Sequence, residues 1–61
     1  MAALSAKELS ALEDQLKLEE NLSKKYKMYA FHCTDSQLKS KCEQMSAIHQ
    51  NHYNTLVNLL G

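Results

Sequence analysis

The interior of this chain contains neither of the two residues that commonly interrupt a helix. Proline is absent, and the single glycine is Gly61, the last residue. Proline and glycine are the strongest local signals for turns and helix ends. Between the ends of the chain, apolar residues recur at alternating spacings of three and four, which is typical of amphipathic helices. The sequence therefore predicts an all-α fold.

The first helix is predicted to run from about residue 6 to about residue 33. Ser5 and Glu8 have the spacing of a capping box, in which each side chain binds the backbone N–H of the other residue. Apolar and small residues then follow the three-and-four spacing along one side of the helix, which we call its inward seam. The seam predicted for this helix consists of Leu9, Leu12, Leu16, Glu19, Ser23, Tyr26, Ala30 and Cys33.

The interior of the chain has one turn signal, the sequence TDSQ. Either Thr34 and Gln37 form a second capping box there, or Asp35 caps the next helix alone. The second helix is predicted to run over about residues 36–60. Its predicted inward seam consists of Leu38, Cys42, Met45, His49, His52, Leu56 and Leu59. Because the connection is short, the two helices must lie antiparallel as a hairpin.

The chain is long enough for one small domain, a single hairpin formed by residues 1–61. Its apolar surface is too wide for two helices to cover, and domains of this size are marginally stable. The residues that widen the apolar surface are Leu18, Leu22, Tyr29, Met45, Ile48, Leu56 and Leu59. We therefore predict that the hairpin pairs with a second copy of itself, and that this homodimer is a four-helix bundle.

Composition argues against several other partners. Seven basic residues balance seven acidic ones, so we predict no basic surface for nucleic acid. No apolar run approaches the roughly 20 residues that span a bilayer, and the start MAALSAKEL lacks the features of a secretory signal. We predict no nucleic-acid or membrane partner and a cytoplasmic location.

The two cysteines, Cys33 and Cys42, are predicted to be free. If Cys33 ends one helix and Cys42 lies two turns into the next, their separation is on the order of 10 Å. A disulfide requires Cα atoms within about 7 Å of each other. Cys42 is also two turns from the histidines of its helix, and no third group is placed to orient a base. We therefore predict no catalytic residue and no enzymatic activity.

One acidic residue, Glu19, interrupts the seam of the first helix. Glu19 and His49 are each fifteen residues from Thr34, so the hairpin places them at the same height, with His52 one turn further on. A buried carboxylate needs a partner. These three residues could bind a divalent metal ion, with zinc, iron or manganese as candidates. Alternatively, they form a hydrogen-bonded polar layer that fixes the register of the helices. We favour the polar layer.

Several segments carry a family resemblance. EENLSKKYKMYA at residues 19–30, the Thr-Asp turn and LKSKCEQMSAIHQNHYNTLVNLL resemble the hairpins of ferritin-like and rubrerythrin-type proteins. The similarity is closest to short spore coat F-type proteins of endospore-forming bacteria and covers about Leu12 to Leu60. The resemblance implies that Glu19 is the metal ligand of helix one and that His52 is the histidine of a Glu-x-x-His motif. His49 replaces the glutamate of that motif, an anionic ligand exchanged for a neutral one.

The resemblance implies a ferritin-like four-helix bundle with a structural role. On this basis the chain is expected to be a small non-enzymatic assembly protein related to the spore coat and to sporulation, with other spore coat proteins as partners. The alternative is a metal-binding, ferritin- or rubrerythrin-like protein that uses Glu19, His49 and His52, with ferroxidase-like activity. A third hypothesis is an adaptor that binds another helix through Leu56 to Leu60.

Overall fold

The structure is a computed structural model that describes residues 3–61 and contains, over this range, two α-helices and no strand. Helix α1 is Ala6–His32 and helix α2 is Ser36–Leu60. Ser23 of α1 contacts Ser46 of α2, whereas the earlier Glu19 contacts the later His49, and this reversed order is that of an antiparallel hairpin. The hairpin measures 47 × 16 × 11 Å. The predicted all-α fold is confirmed. Neither helix has the length and apolar character needed to cross a membrane.

Side-chain caps set the start of both helices. The predicted capping box is present at α1, where the Ser5 N–H donates to Glu8 Oε1 at 3.0 Å and the Glu8 N–H donates to Ser5 Oγ at 3.1 Å. At α2, Asp35 Oδ1 accepts from the backbone N–H groups of Gln37 and Leu38 at 2.9 and 3.0 Å. Asp35 therefore caps α2 alone, and the alternative box that began at Thr34 is wrong.

A reciprocal pair of serines joins the two helices. Ser23 Oγ donates to the backbone carbonyl of Ser46 at 3.2 Å, and Ser46 Oγ donates to the carbonyl of Ser23 at 2.9 Å. Both serines are buried. A hydroxyl can reach the backbone of the facing helix only if the two backbones are close, so small side chains are required at this height.

The predicted inward seam agrees with the structure for α1 but is partly wrong for α2. In α1 all the predicted seam residues except Leu9 are buried or half-buried. In α2, Leu38, His52 and Leu59 are exposed, whereas Ser46 is buried and Tyr53 half-buried. The predicted seam is the most apolar three-and-four series of α2. Because the backbones approach closely at the serine pair, α2 is rotated so that the neighbouring series through Ser46 and Tyr53 faces α1 instead.

A single hairpin buries very little apolar surface. Among residues 3–61, Ala30 is the one apolar side chain in the buried class. Large apolar side chains with exposed fractions of 39–81% are Leu4, Leu9, Leu18, Met28, Tyr29, Phe31, Leu38, Ile48, Val57, Leu59 and Leu60. Cys33 and Cys42 are both free and half-buried. The hairpin therefore has an interhelical contact but no apolar core of its own.

Candidate functional site

The structure brings together Glu19, His49 and His52, which the sequence predicted to lie at nearly the same height in the hairpin. Glu19 lies in the middle of α1 and is only 8% exposed. His49 Nδ1 is 2.7 Å from Glu19 Oε1, and His52 Nδ1 is 3.4 Å from the same oxygen. Both distances are within hydrogen-bonding range, and the first is that of a short charge-assisted bond. One carboxylate oxygen therefore serves both imidazoles.

Two further side chains complete this cluster, and sequence reasoning did not assign them to it. Gln15 Nε2 donates to Glu19 Oε2 at 3.0 Å, from one turn earlier on α1. Tyr26 stacks on the His49 ring, with 5.7 Å between ring centroids and 6° between planes. The four-residue spacing between Gln15 and Glu19 was a usable signal, because such pairs lie side by side on a helix. In the described range, no buried side-chain nitrogen or oxygen lacks a hydrogen-bonding partner.

These contacts stabilise the ionised form of Glu19. The hydrogen bond with His49 lowers the pKa of Glu19 below its ordinary value of 4.5; burial acts in the opposite direction, and contacts with Gln15 and His52 lower it further. An ionised carboxylate only accepts hydrogen bonds, so the Nδ1 atoms that face it must carry protons. In a neutral imidazole the other nitrogen, Nε2, then has the free lone pair.

His52 is less enclosed than its predicted place on the inward seam implied. Its side chain is 54% exposed, whereas that of His49 is 16% exposed. The difference follows from the register of α2, because Ser46 and His49 point toward α1 and His52 is turned to one side. The cluster is therefore closed by Tyr26 and Gln15 within the hairpin and open on the side where His52 lies.

The donor set suits a metal ion, but its spacing is that of hydrogen bonds. Glu19, His49 and His52 can each offer one ligand atom, and these atoms lie within 4.8 Å of one another. A tetrahedral zinc site with bonds of about 2.0–2.1 Å separates its ligand atoms by roughly 3.3 Å. The 2.7 Å contact between His49 and Glu19 is shorter than this. Metal binding would therefore require the pair to separate and a proton to leave a ligating nitrogen.

We found no protein-family model, curated protein or solved structure that matches this chain. The resemblance to ferritin-like and spore coat F-type proteins therefore depends on the short segments quoted above and stays a prediction.

Proposed function

We propose that this chain is a non-enzymatic assembly protein whose working unit is a homodimeric four-helix bundle. The observation that carries the proposal is the shortage of buried apolar surface in one hairpin. Ala30 is its one buried apolar side chain in the described range, while Leu18, Leu38 and Leu59 are 50–56% exposed. Small domains without disulfides or metals usually obtain their missing core by oligomerisation.

Several apolar residues that are exposed or half-buried share one side of the hairpin, which we call the apolar face. It consists of Leu18, Leu22, Tyr29, Leu38, Met45, Ile48 and Leu59. Within each helix these residues follow a three-and-four pattern beside the inward seam. The edge-on contact of Tyr29 with Tyr26 and the hydrogen bond of His52 to Glu19 support placing the apolar residues of α1 and those of α2 on the same side of the hairpin. An apolar patch on the surface of a small protein usually marks an interaction surface.

The opposite side of the hairpin has a different character. An open groove of about 520 Å³ runs along it, and its lining combines the exposed Phe31 with the charged residues Lys27, Lys39 and Glu43. The charged side chains in this lining favour contact with water over burial against a second helix pair. The proposed dimer therefore uses the apolar face and leaves the charged side free.

The Glu19 cluster fits a structural role in this unit. A satisfied polar layer inside a helical bundle fixes the register of its helices, as single polar residues do in coiled coils. His52 reaches the apolar face, so association covers its exposed half. A structural role in the spore coat, with other coat proteins as partners, is compatible with such a unit and is supported by the sequence resemblance alone.

Sedimentation equilibrium of the full chain tests the proposal. The expected mass is twice the 7.0 kDa of one chain. A folded, helical monomer at concentrations of about 100 μM would overturn it, because specific homodimers with standard-sized interfaces associate well below that concentration. A monomer of this kind would favour the adaptor hypothesis instead.

A second candidate function is metal binding by Glu19, His49 and His52. The observation that favours it is the closeness of three suitable donor atoms, which lie within 4.8 Å of one another. Two imidazoles and one carboxylate are a ligand set used for zinc and for iron. When bound, the ion would join α1 to α2 at mid-height. Such a site would add stability to the hairpin, whether or not the ion took part in chemistry.

Zinc titration of untagged, chelator-treated protein tests this candidate. If the cluster is a metal site, isothermal titration calorimetry should show one zinc ion per chain. His49→Ala and His52→Ala should each weaken binding at least about tenfold, because each removes one ligand. His32→Ala is the matched control, because His32 is an exposed histidine in the last turn of α1, away from the cluster. An absence of binding by zinc, ferrous iron and manganese would exclude the metal-binding function.

A further inference from the structure

We infer that two copies of the hairpin pair antiparallel through the apolar face, so that the turn of one copy lies beside the open end of the other. The open end is the end at which α1 begins and α2 finishes. This inference rests on the proposed homodimer and specifies its interface. Three features of the chain carry it: the distribution of charge, the placement of the apolar residues and the size of the face.

Charge is unevenly distributed along the hairpin. The half that contains the turn, residues 20–48, has five lysines and three acidic residues. The half that contains the open end has two lysines and four acidic residues. The turn half is therefore net positive and the open half net negative by the same amount. Parallel pairing would place like charges together, whereas antiparallel pairing places opposite charges together. Complementarity of this kind sets the orientation of partners more than the strength of binding.

The residues of α2 on the apolar face are arranged symmetrically about its middle. Leu38 and Leu59 are equally far from the midpoint between Ile48 and His49, and so are Met45 and His52. A two-fold axis through that midpoint packs Leu38 against Leu59 of the partner subunit. It also covers each His52 with an apolar methionine side chain of the other copy. Both ends of the interface are then closed by leucine pairs.

Parallel pairing lacks this match. Its two-fold axis would run along the helices, so α2 of each copy would pack against α1 of the other. The positions of α2 that are symmetric about its middle would then not meet. The half-exposed His52 side chain of each copy would face α1 of the other copy instead of a methionine. The net positive turn halves would also lie side by side, and like charges brought together disfavour that orientation.

One whole side of the hairpin has about the area that a standard protein interface requires. Its outline of 47 by 16 Å corresponds to about 750 Å², and a standard protein interface buries roughly 800 Å² per partner. Antiparallel pairing centred at mid-height overlaps the two faces over their whole length. A single helix from another protein would cover only part of this width, so a second copy is the occupant that fits.

A distance measured by pulsed electron paramagnetic resonance tests the orientation. A nitroxide label is attached to Thr34→Cys in a chain that also carries Cys33→Ser and Cys42→Ala. Residue 34 is fifteen residues from Glu19, which is about 22 Å along the helix axis. Antiparallel pairing therefore predicts about 45 Å between the two labels, and parallel pairing predicts less than about 25 Å. Gln37→Cys, a second exposed position near the turn, repeats the measurement.

Asn21→Cys in the same background is a further position, because it is exposed and lies near mid-height. Antiparallel pairing places α1 against α1 of the other copy and therefore gives a short distance there. Sedimentation of the labelled chain separates the possible failures. A dimer with a short distance between the turns would overturn the antiparallel pairing and leave the homodimer intact. A monomer would overturn the homodimer itself, and the pairing with it.

Discussion

Leu38→Asp is expected to raise the dissociation constant of the homodimer at least about 100-fold. Leu38 is 56% exposed in the hairpin, so its loss costs little within one chain. In the dimer, burial of its exposed half contributes about 1–1.5 kcal/mol in each of two copies, and an unpaired carboxylate buried in its place adds a further cost. A change of about 1.4 kcal/mol corresponds to a tenfold change in affinity. Residue 38 also lies in the first turn of α2, where a carboxylate favours the helix. Sedimentation velocity over a concentration series measures the effect.

Met28→Asp is the matched control for this variant. Met28 is 60% exposed, close to the value for Leu38, but it lies outside the apolar face. The same carboxylate replaces a similar apolar side chain there, and the dissociation constant should change less than about threefold, as expected for a surface substitution. Equal effects of the two variants would mean that the apolar face is not the interface. Wild-type affinity in Leu38→Asp would lead to the same conclusion.

The features that the sequence could predict are those that depend on local chemistry or on the length of the chain. Ser5 and Glu8 identify the start of α1 because a capping box needs only four consecutive residues. The meeting of Glu19 with His49 was predictable because helices rise by a constant amount per residue. Two residues equally far from a tight turn therefore reach the same height, whatever the rest of the chain does.

The rotation of α2 about its own axis was not predicted, and the reason is physical. Two neighbouring three-and-four series on α2 share Cys42, His49 and Leu56. One of them continues through Met45 and the other through Ser46, so the two series differ in which of these two residues faces α1. Apolar content favours Met45, because burial of apolar area is the dominant driving force. The close approach of the backbones favours Ser46. The usable signal was Ser23, a small residue eleven positions before Thr34, almost level with Ser46 twelve positions after it.

The exposure of His52 follows from the same rotation. With Ser46 turned toward α1, His52 moves from the inward seam to the edge of the apolar face. Whether another chain covers this face depends on contacts between molecules, which the spacing of residues within one chain does not determine. Leu38 and Leu59 were assigned inward because their apolarity requires cover, and in the proposed dimer that cover comes from the second copy.

Ser46→Leu is expected to lower the free energy of unfolding by about 3–5 kcal/mol. A leucine does not fit where Ser46 Oγ is 2.9 Å from the backbone carbonyl of Ser23, and enlarging a tightly packed position costs about 1–3 kcal/mol. Separation of the helices also breaks the two interhelical serine hydrogen bonds, each worth about 1 kcal/mol. This total is a large part of the free energy of unfolding of a small protein, which is about 5 kcal/mol. Urea unfolding followed by circular dichroism measures the change.

Two further serine variants separate packing from hydrogen bonding. Ser40→Leu places the same side chain at an exposed position of α2 and should change the free energy of unfolding by less than about 0.5 kcal/mol. Ser46→Ala removes one hydroxyl without adding volume, so a loss of about 1 kcal/mol is expected. All variants are compared at one protein concentration, because dimer formation contributes to the measured stability. If Ser46→Leu were as stable as Ser40→Leu, the helices would not approach closely at the serine pair, and the inward register of α2 described here would be wrong.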